Sequence, residues 1–264
     1  MPREFHRSDD VRIERADAVL TITIDRPERR NALNPDVMAA IGLGLRTASE
    51  DSGVRAVVLT AVGDKAFCAG ADLTTGTDAF SYEYHQTRLP FADLLRYARD
   101  VEVPLIARVN GTCMAGGMGL LGLCDIAVTA DHALFGMPEV KIGMFPQQIL
   151  SVLRPLMHER DLYEMCITGE PIDAQAARAA GLVNYVVPSA GLDDKVDWLL
   201  ARILDKSPTA IRRGKYALRQ TADMSFEQTI AFTESQIGLH VMTQDAREGL
   251  AAFNAKRKVV WKGL

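Results

Sequence analysis

Two turns built from small residues offer the first candidate chemistry in this 264-residue sequence. Residues 109–126 read VNGTCMAGGMGLLGLCDI, so a strand signal at 105–109 runs into a glycine-dense turn and then a short apolar helix. A helix that begins near Gly116 leaves its first N–H groups without partners and points the positive end of its dipole at the turn. Such a turn can hold an anion or a developing oxyanion.

The second turn, GDKAFCAGADL at residues 63–73, directly follows a buried strand signal at 55–60. Two backbone donors from separate turns can converge on one oxygen atom. The pair of turns therefore predicts a pocket that stabilises negative charge on a bound group.

Glu139 is the best candidate for proton transfer. Its neighbours Phe135, Met137, Pro138 and Val140 are apolar. A carboxylate in such surroundings can have a raised pKa and act as a base or an acid. A solvated or salt-bridged glutamate is the alternative interpretation.

Residues 117–122 match the dinucleotide fingerprint G-x-G-x-x-G, but their context does not. That fingerprint belongs to a βαβ unit of about 30 residues in which the first glycine closes the strand. Here the strand signal ends at Val109 and the next begins at Ile126, which leaves a helix of barely two turns. We therefore expect no nicotinamide or flavin site.

Metal and nucleophile motifs are also missing from the sequence. No H-E-x-x-H or G-x-S-x-G occurs, and the four cysteines form no C-x-x-C pair. No histidine stands at metal-ligand spacing from them. Cys68, Cys113, Cys124 and Cys166 are thus predicted to be small buried thiols in a reducing compartment, with no metal site.

Composition limits the possible partners. The sequence is 48% hydrophobic and 24% charged, with a formal net charge of −4. This balance is typical of a globular protein and disfavours nucleic-acid binding. The first ten residues are too polar for a signal peptide, and no apolar run approaches the roughly 18 residues of a membrane helix. We expect a cytoplasmic protein without membrane contact.

The elements that must position these residues follow from periodicity and helix caps. Strands are predicted at 19–24, 55–60 and 185–187, and a helix begins after Asn34 as N-cap with Pro35 in its first turn. Further helices are predicted at 79–99, 160–167, 173–181, 190–206, 208–221, 225–239 and 244–256. This order predicts an α/β core over residues 1–190 and a helical region over 191–264.

Three segments in fixed order resemble the crotonase (enoyl-CoA hydratase/isomerase) superfamily: KAFCAGADL at 65–73, NG with AGG and CDI within 110–126, and FGMPE at 135–139. The likeness spans nearly the whole chain, including TGE at 168–170, AGLVN at 180–184 and a basic C-terminal tail. It implies a spiral of ββα turns with a C-terminal helical oligomerisation region. It also implies a homotrimer or a dimer of trimers.

The resemblance assigns roles to residues of the two turns. It implies that the N–H groups of Ala71 and Gly116 stabilise the enolate of an acyl-CoA thioester. Glu139 matches the glutamate that hydratases and isomerases share. CoA is then part of the substrate, and no separate cofactor is implied.

The CoA-binding residues are implied in the same way. The backbone around Ala69 and Leu73 matches the adenine site, and Arg29 lies in the matching N-terminal loop. Phe253 and Lys256 match a C-terminal helix that often reaches the CoA of a neighbouring subunit. A cation near a phosphate is physically sensible, although each of these side chains could also be a solvated surface residue.

The main departure from the family pattern is Gly119, which stands where enoyl-CoA hydratases carry a second catalytic glutamate. Hydration divides its work between two carboxylates, whereas a double-bond shift needs one group that removes and returns a proton. An enoyl-CoA isomerase is therefore the leading hypothesis. The alternatives are a hydratase with an atypical water site, a decarboxylase or hydrolase variant, and a non-catalytic acyl-CoA or RNA binder.

Other polar residues leave the acyl pocket open to interpretation. Gln147 and Gln148 replace a glycine-rich turn common in hydratases, and they either bind a polar acyl group or simply pack. Asp78 and Glu83 are weaker candidates for the missing second acid, and His85 of the same segment is a weak candidate for a catalytic role. Acyl length, pathway and trimer versus hexamer are not decided by the sequence.

Overall fold

The computed structural model describes residues 6–80, 85 and 87–264. Glu83 and the side chain of Asp78, two of the weaker candidates for a second acid, lie outside the described part.

The strands alternate with helices along the chain. The strands are β1 (Val11–Ala16), β2 (Val19–Ile24), β3 (Ala56–Ala61), β4 (Ala66–Cys68), β5 (Leu105–Val109), β6 (Thr112–Met114), β7 (Ile126–Ala130), β8 (Leu134–Gly136), β9 (Ile172–Asp173) and β10 (Tyr185–Val187). The helices are α1 (Pro35–Glu50), α2 (Pro90–Asp100), α3 (Gly116–Leu123), α4 (Leu150–Leu153), α5 (Glu159–Thr168), α6 (Ala174–Ala179), α7 (Leu192–Leu204), α8 (Pro208–Gln220), α9 (Phe226–Val241) and α10 (Gln244–Asn254). Short 3-10 turns lie at Pro27–Arg29, Leu73–Phe80, Pro138–Ile142 and Ser189–Gly191.

Successive strands go to two different sheets. The first sheet has the order β1-β2-β3-β5-β7-β10, and the second has the order β4-β6-β8-β9. The pairs β3/β4, β5/β6 and β7/β8 each contribute one strand to each sheet, and the first two pairs are followed by helices α2 and α3. This is the spiral of ββα turns that the resemblance implied, with parallel pairing everywhere except β1/β2 and β8/β9.

The N-cap predicted at Asn34 is confirmed, and three further helices begin with side-chain caps. The Asn34 side chain accepts a hydrogen bond from Val37 N at the start of α1. Ser207 and Asp173 cap α8 and α6 in the same way. Ser225 and Gln228 form a reciprocal capping box at α9. These local signals placed most helix starts within a few residues.

The helix predicted at 79–99 is shorter than expected. The structure places 3-10 turns over Leu73–Phe80 and starts α2 only at Pro90. Proline lacks an N–H group, and its ring clashes with the carbonyl group of the preceding turn. A helix can therefore begin at Pro90 but cannot run through it.

The C-terminal helices are attached to the core at specific points. Helix α7 packs on the six-stranded sheet through Leu192, Val196 and Leu199. The boundary at residue 190 and the oligomerisation role of the helices after it remain predictions. In the described part of the chain, no helix is long and apolar enough to cross a membrane.

Asp125 joins helix α8 to the core. Lys215 Nζ on α8 lies 2.5 Å from Asp125 Oδ2 and donates to Val103 O at 2.6 Å. Arg219 also contacts Asp125, which in turn accepts from Leu105 N at 2.7 Å. Burial lowers the pKa of Lys215 to about 8, and the charge of Asp125 opposes that shift. One carboxylate thus connects α8 to the turn that ends α3.

Two helical glycines should respond oppositely to alanine. A Cβ atom at Gly44 in α1 would lie 2.6 Å from Ile22 Cδ1, whereas one at Gly214 in α8 would have no atom within 4 Å. We expect Gly44→Ala to lower the free energy of unfolding, because overpacking costs about 1–3 kcal/mol. Gly214→Ala should raise it by up to about 1 kcal/mol through helix propensity. Urea denaturation of both variants tests this, and equal effects would contradict the packing of α1.

Candidate active site

Each of the three predicted catalytic residues follows one of three adjacent parallel strands. In the second sheet, β4 pairs with β6 and β6 pairs with β8. Ala71 follows β4, Gly116 follows β6 and Glu139 follows β8. Because the carboxyl ends of neighbouring parallel strands meet at one edge of a sheet, the structure brings all three to the same edge.

The two small-residue turns touch each other. Gly70 has φ +103°, and a Cβ atom there would lie 2.7 Å from the Ala115 Cβ and 3.4 Å from Gly116 N. A Cβ atom at Gly116 would lie 3.6 Å from Ala71 N. The amides of Ala71 and Gly116 therefore belong to backbone segments in direct contact.

The backbone hydrogen bonds around the two turns do not use the N–H groups of Ala71 and Gly116. Leu33 N donates to Gly70 O, and Asp72 N donates to Leu33 O, each at 2.8 Å. Since successive N–H groups of an extended segment point to opposite sides, the N–H group of Ala71 faces away from Leu33. Gly116 is the first residue of α3, so its N–H group has no partner within the helix. The two donors can serve a ligand.

Ala115 holds the second turn in an uncommon conformation. Its φ of 48° and ψ of −121° are costly for a residue with a Cβ atom. Ala115 N donates to Gly136 O at 2.9 Å, and Ala115 O accepts from Met118 N at 2.8 Å. Strand β8 and the first turn of α3 thus hold the strained residue from both sides.

Glu139 lies half-buried in the 3-10 turn Pro138–Ile142. Its Oε2 atom is inaccessible to solvent and has no hydrogen-bond partner. Desolvation raises the pKa of Glu139, against a smaller opposing effect of its own backbone amide. Among the described residues, none forms an ion pair with it. These surroundings agree with the expected raised pKa rather than with a salt bridge.

The thiol of Cys166 on α5 is a near neighbour of this carboxylate. Burial, and then the charge of Glu139, raise the pKa of Cys166 to about 11. A neutral thiol does not offset the cost of a buried charge, so the carboxylate stays poorly compensated. All four cysteines are buried and free, as predicted.

The space beside Gly119 is apolar and occupied. A Cβ atom there would lie 2.6 Å from Phe91 Cζ and 3.6 Å from Ile149 Cγ1. Gln147 is exposed and Gln148 is partly exposed. The structure therefore leaves both interpretations of the two glutamines open.

Three of the five predicted CoA-binding residues come together. The 3-10 turn Pro27–Arg29 leads to Arg30, whose carbonyl accepts from Ala69 N at 3.1 Å. The loop that carries Arg29 therefore runs beside Ala69, and Leu73 lies two residues beyond Ala71 with 45% of its surface exposed.

The other two predicted CoA-binding residues lie elsewhere. Phe253 lies in the last turn of α10, which packs mainly on α8 and α9, and Lys256 follows the end of that helix. Phe253 is 80% exposed. The single chain does not bring these two residues to the edge that carries Ala71, Gly116 and Glu139.

Two polar residues that the sequence analysis missed fasten the N-terminal loop to this edge. Arg26 is buried and pairs with Asp72 at 3.0 Å. The Asn31 side-chain amide donates to Ala66 O at 2.7 Å and to Val62 O at 3.1 Å. Arg26 was not distinguishable from the other arginines of the charged loop, because its partner lies 46 residues further along the chain.

Comparisons with known proteins agree with this arrangement. A family model described as enoyl-CoA hydratase/isomerase matches residues 14–264. A crotonyl-CoA hydratase from Syntrophomonas wolfei is 32% identical over 255 residues, which covers 95% of this chain and 96% of the relative. A short-chain-enoyl-CoA hydratase from Clostridium acetobutylicum is 31% identical over 255 residues, covering 95% and 97%.

A solved structure shows the same fold. The crystal structure of an enoyl-CoA hydratase from Mycobacterium smegmatis superposes with a TM-score of 0.91 at 33% identity. The match covers 96% of this chain and 99% of that one.

Because of the raised pKa of Glu139, we expect the stability difference between the wild type and Glu139→Gln to depend on pH. Because the pKa of Glu139 is raised in the folded state, its ionisation destabilises the fold above that pKa and has no effect well below the ordinary value of 4.5. We expect Glu139→Gln to melt at a higher temperature than the wild type at pH 7, and the difference to shrink as the pH falls through the raised pKa and to be lost well below pH 4.5.

Calorimetry at pH 4 and pH 7 measures this difference. Glu164→Gln, at an exposed position on α5, is the matched control and should change the melting temperature little at either pH. A Glu139→Gln variant that is less stable than the wild type at pH 7 would contradict the poor compensation of this carboxylate.

Proposed function

The chain belongs to the enoyl-CoA hydratase/isomerase family, and from that membership we propose that it shifts the double bond of an enoyl-CoA thioester. In this proposal the N–H groups of Ala71 and Gly116 stabilise the enolate, and Glu139 alone carries the proton. The supporting observation is a half-buried carboxylate whose Oε2 atom is buried without a hydrogen-bond partner, on the same sheet edge as two unused backbone donors.

The proposed chemistry follows from where charge develops. When the α-carbon of a 3-enoyl thioester loses a proton, negative charge grows on the thioester oxygen. Two preorganised N–H donors lower the energy of this enolate, and each donor of this kind is worth about 2.7–4 kcal/mol in comparable sites. Backbone donors need no reorganisation, since the contact between the two turns already fixes them.

Glu139 would complete the reaction by moving one proton. The carboxylate takes the proton from C2 as the C2–H bond breaks and the electron pair enters the enolate. The resulting carboxylic acid returns the proton to C4 as the double bond moves from C3=C4 to C2=C3. A raised pKa suits this task, because the group must accept the proton and then release it.

Hydration is the second candidate, favoured by the two hydratases among the relatives. It would add the oxygen of water to C3 and a proton to C2 of a 2-enoyl thioester. Gly119 supplies no carboxylate to activate that water, and Phe91 and Ile149 surround the position. This observation ranks isomerisation above hydration.

We propose that two copies of the chain bind one CoA. One copy contributes Arg29, Ala69 and Leu73, and the neighbouring copy contributes Phe253 and Lys256. No residue of α9 is buried in the single chain. The last three helices and the turn after α9 expose large apolar side chains, including Leu218 at 77%, Ile237 at 62%, Met242 at 64% and Leu250 at 62%. Such a surface is typical of an interface and supports a homotrimer or a dimer of trimers. A cytoplasmic location and the absence of nucleic-acid binding stay predictions from composition.

The first functional test is the absorbance change after a 3-enoyl-CoA is added. Conjugation of the double bond with the thioester raises near-ultraviolet absorbance, so we expect a rise with the wild-type protein. Glu139→Gln should slow it by about 10²–10⁴-fold, the usual contribution of a positioned acid–base group. Glu164→Gln should keep the wild-type rate. No rise with several chain lengths would contradict isomerisation and direct the test to hydration of 2-enoyl-CoA.

Assembly is tested by sedimentation velocity. We expect the wild-type chain to sediment as a trimer or hexamer, and Ile237→Asp on α9 to shift it toward the monomer, because a buried charge opposes association. Tyr163→Asp on α5 has similar exposure, 60%, outside the last helices and should not change the assembly. A monomeric wild-type chain would contradict the proposed shared CoA site.

A further inference from the structure

The ring of Phe91 occupies the space that a side chain at position 119 would need. Gly119 lies in α3, three residues after Gly116, and so faces the same side of the helix as the proposed oxyanion donor. A Cβ atom at Gly119 would lie 2.6 Å from Phe91 Cζ and 3.1 Å from Phe91 Cε1. The ring edge therefore reaches the backbone of α3 one turn beyond the donor.

Phe91 is held by a helix rather than by a loop. It follows Pro90 at the start of α2, and the buried residues Leu94, Leu95 and Ala98 anchor that helix in the main core. The ring itself is partly buried against the same core. Its position next to Gly119 is thus part of the packing between α2 and α3.

We propose that Phe91 is a specificity-determining residue that forms an apolar wall beside the proposed enolate. This inference rests on the proposed function. With Ile149, 3.6 Å from the same Cβ position, the ring excludes both a second carboxylate and an ordered water from this side of the site. Addition of water to C3 of a 2-enoyl thioester is then disfavoured, whereas transfer of a proton by Glu139 from C2 to C4 needs no water.

The physical basis is that water needs polar partners to stay in a buried site. An ordered buried water typically makes about three hydrogen bonds. The ring edge and the aliphatic side chain at this position offer none. A carboxylate placed there by substitution would lose its hydration without gaining a partner and would also collide with the ring.

A double-mutant cycle tests the steric pairing and its effect on the reaction together. The proteins are the wild type, Phe91→Ala, Gly119→Glu and the combined variant. Melting temperatures are compared with the rates of 3-hexenoyl-CoA isomerisation and 2-hexenoyl-CoA hydration. Tyr163→Ala, which removes an exposed ring on α5, is the control and should keep the wild-type ratio of the two rates.

We expect Gly119→Glu to lower the melting temperature of the wild type more than that of Phe91→Ala, because the ring with which the new side chain collides is then absent. The ratio of hydration to isomerisation should rise at least tenfold in the combined variant and detectably in Phe91→Ala. Because the ratio compares two reactions of one protein, a general loss of folded enzyme does not change it.

The outcomes separate the inference from the function on which it rests. A wild-type protein that isomerises, with an unchanged ratio in Phe91→Ala and in the combined variant, would overturn the role of Phe91 and leave the function standing. A wild-type protein that turns over neither substrate would overturn the function and this role together. An equal fall in melting temperature on Gly119→Glu in the wild type and in Phe91→Ala would overturn the steric pairing.

Discussion

The contact between two backbone turns is the constraint on which the rest of the site depends. A Cβ atom at Gly70 would overlap Ala115, and a Cβ atom at Gly117 would lie 2.4 Å from Cys68 O. The second sheet places the two turns on adjacent strands, and the buried Arg26 fastens the N-terminal loop along the first of them. Without glycine at these two positions the turns would separate, and two amides could not serve one oxygen atom.

Glu139 differs from the two turns, because its burial destabilises the fold. The turns are held by close packing, whereas this carboxylate has a buried oxygen that no group satisfies. Such an atom costs free energy of folding, which the extensive core around β6 and β8 offsets. Poor compensation of this kind is common where a group must change its protonation state during a reaction. The fold therefore stabilises the donors and tolerates the destabilising acid.

Local signals explain why much of the fold could be predicted from the sequence. Caps such as Asn34 and Ser225 act within four residues, and buried strands such as β3 are continuous apolar runs. Strand β1 gave little signal, because only Val11 of its six residues is buried. The candidate catalytic residues were found through motifs, whereas the pairing of Phe91 with Gly119 joins two helices and has no counterpart in local sequence. Long-range contacts of this kind require the folded chain.

The proposed use of main-chain amides at positions 71 and 116 has an evolutionary consequence. A side-chain donor disappears when its codon changes, but a peptide N–H group persists through every substitution except proline. In the proposed site, the machinery that stabilises the enolate is therefore largely insensitive to mutation once the glycines are kept. Glu139 can vary with less risk to the fold, because its buried carboxylate oxygen has no hydrogen-bond partner. A lineage built on this site can change its reaction by exchanging single side chains while it inherits the same intermediate.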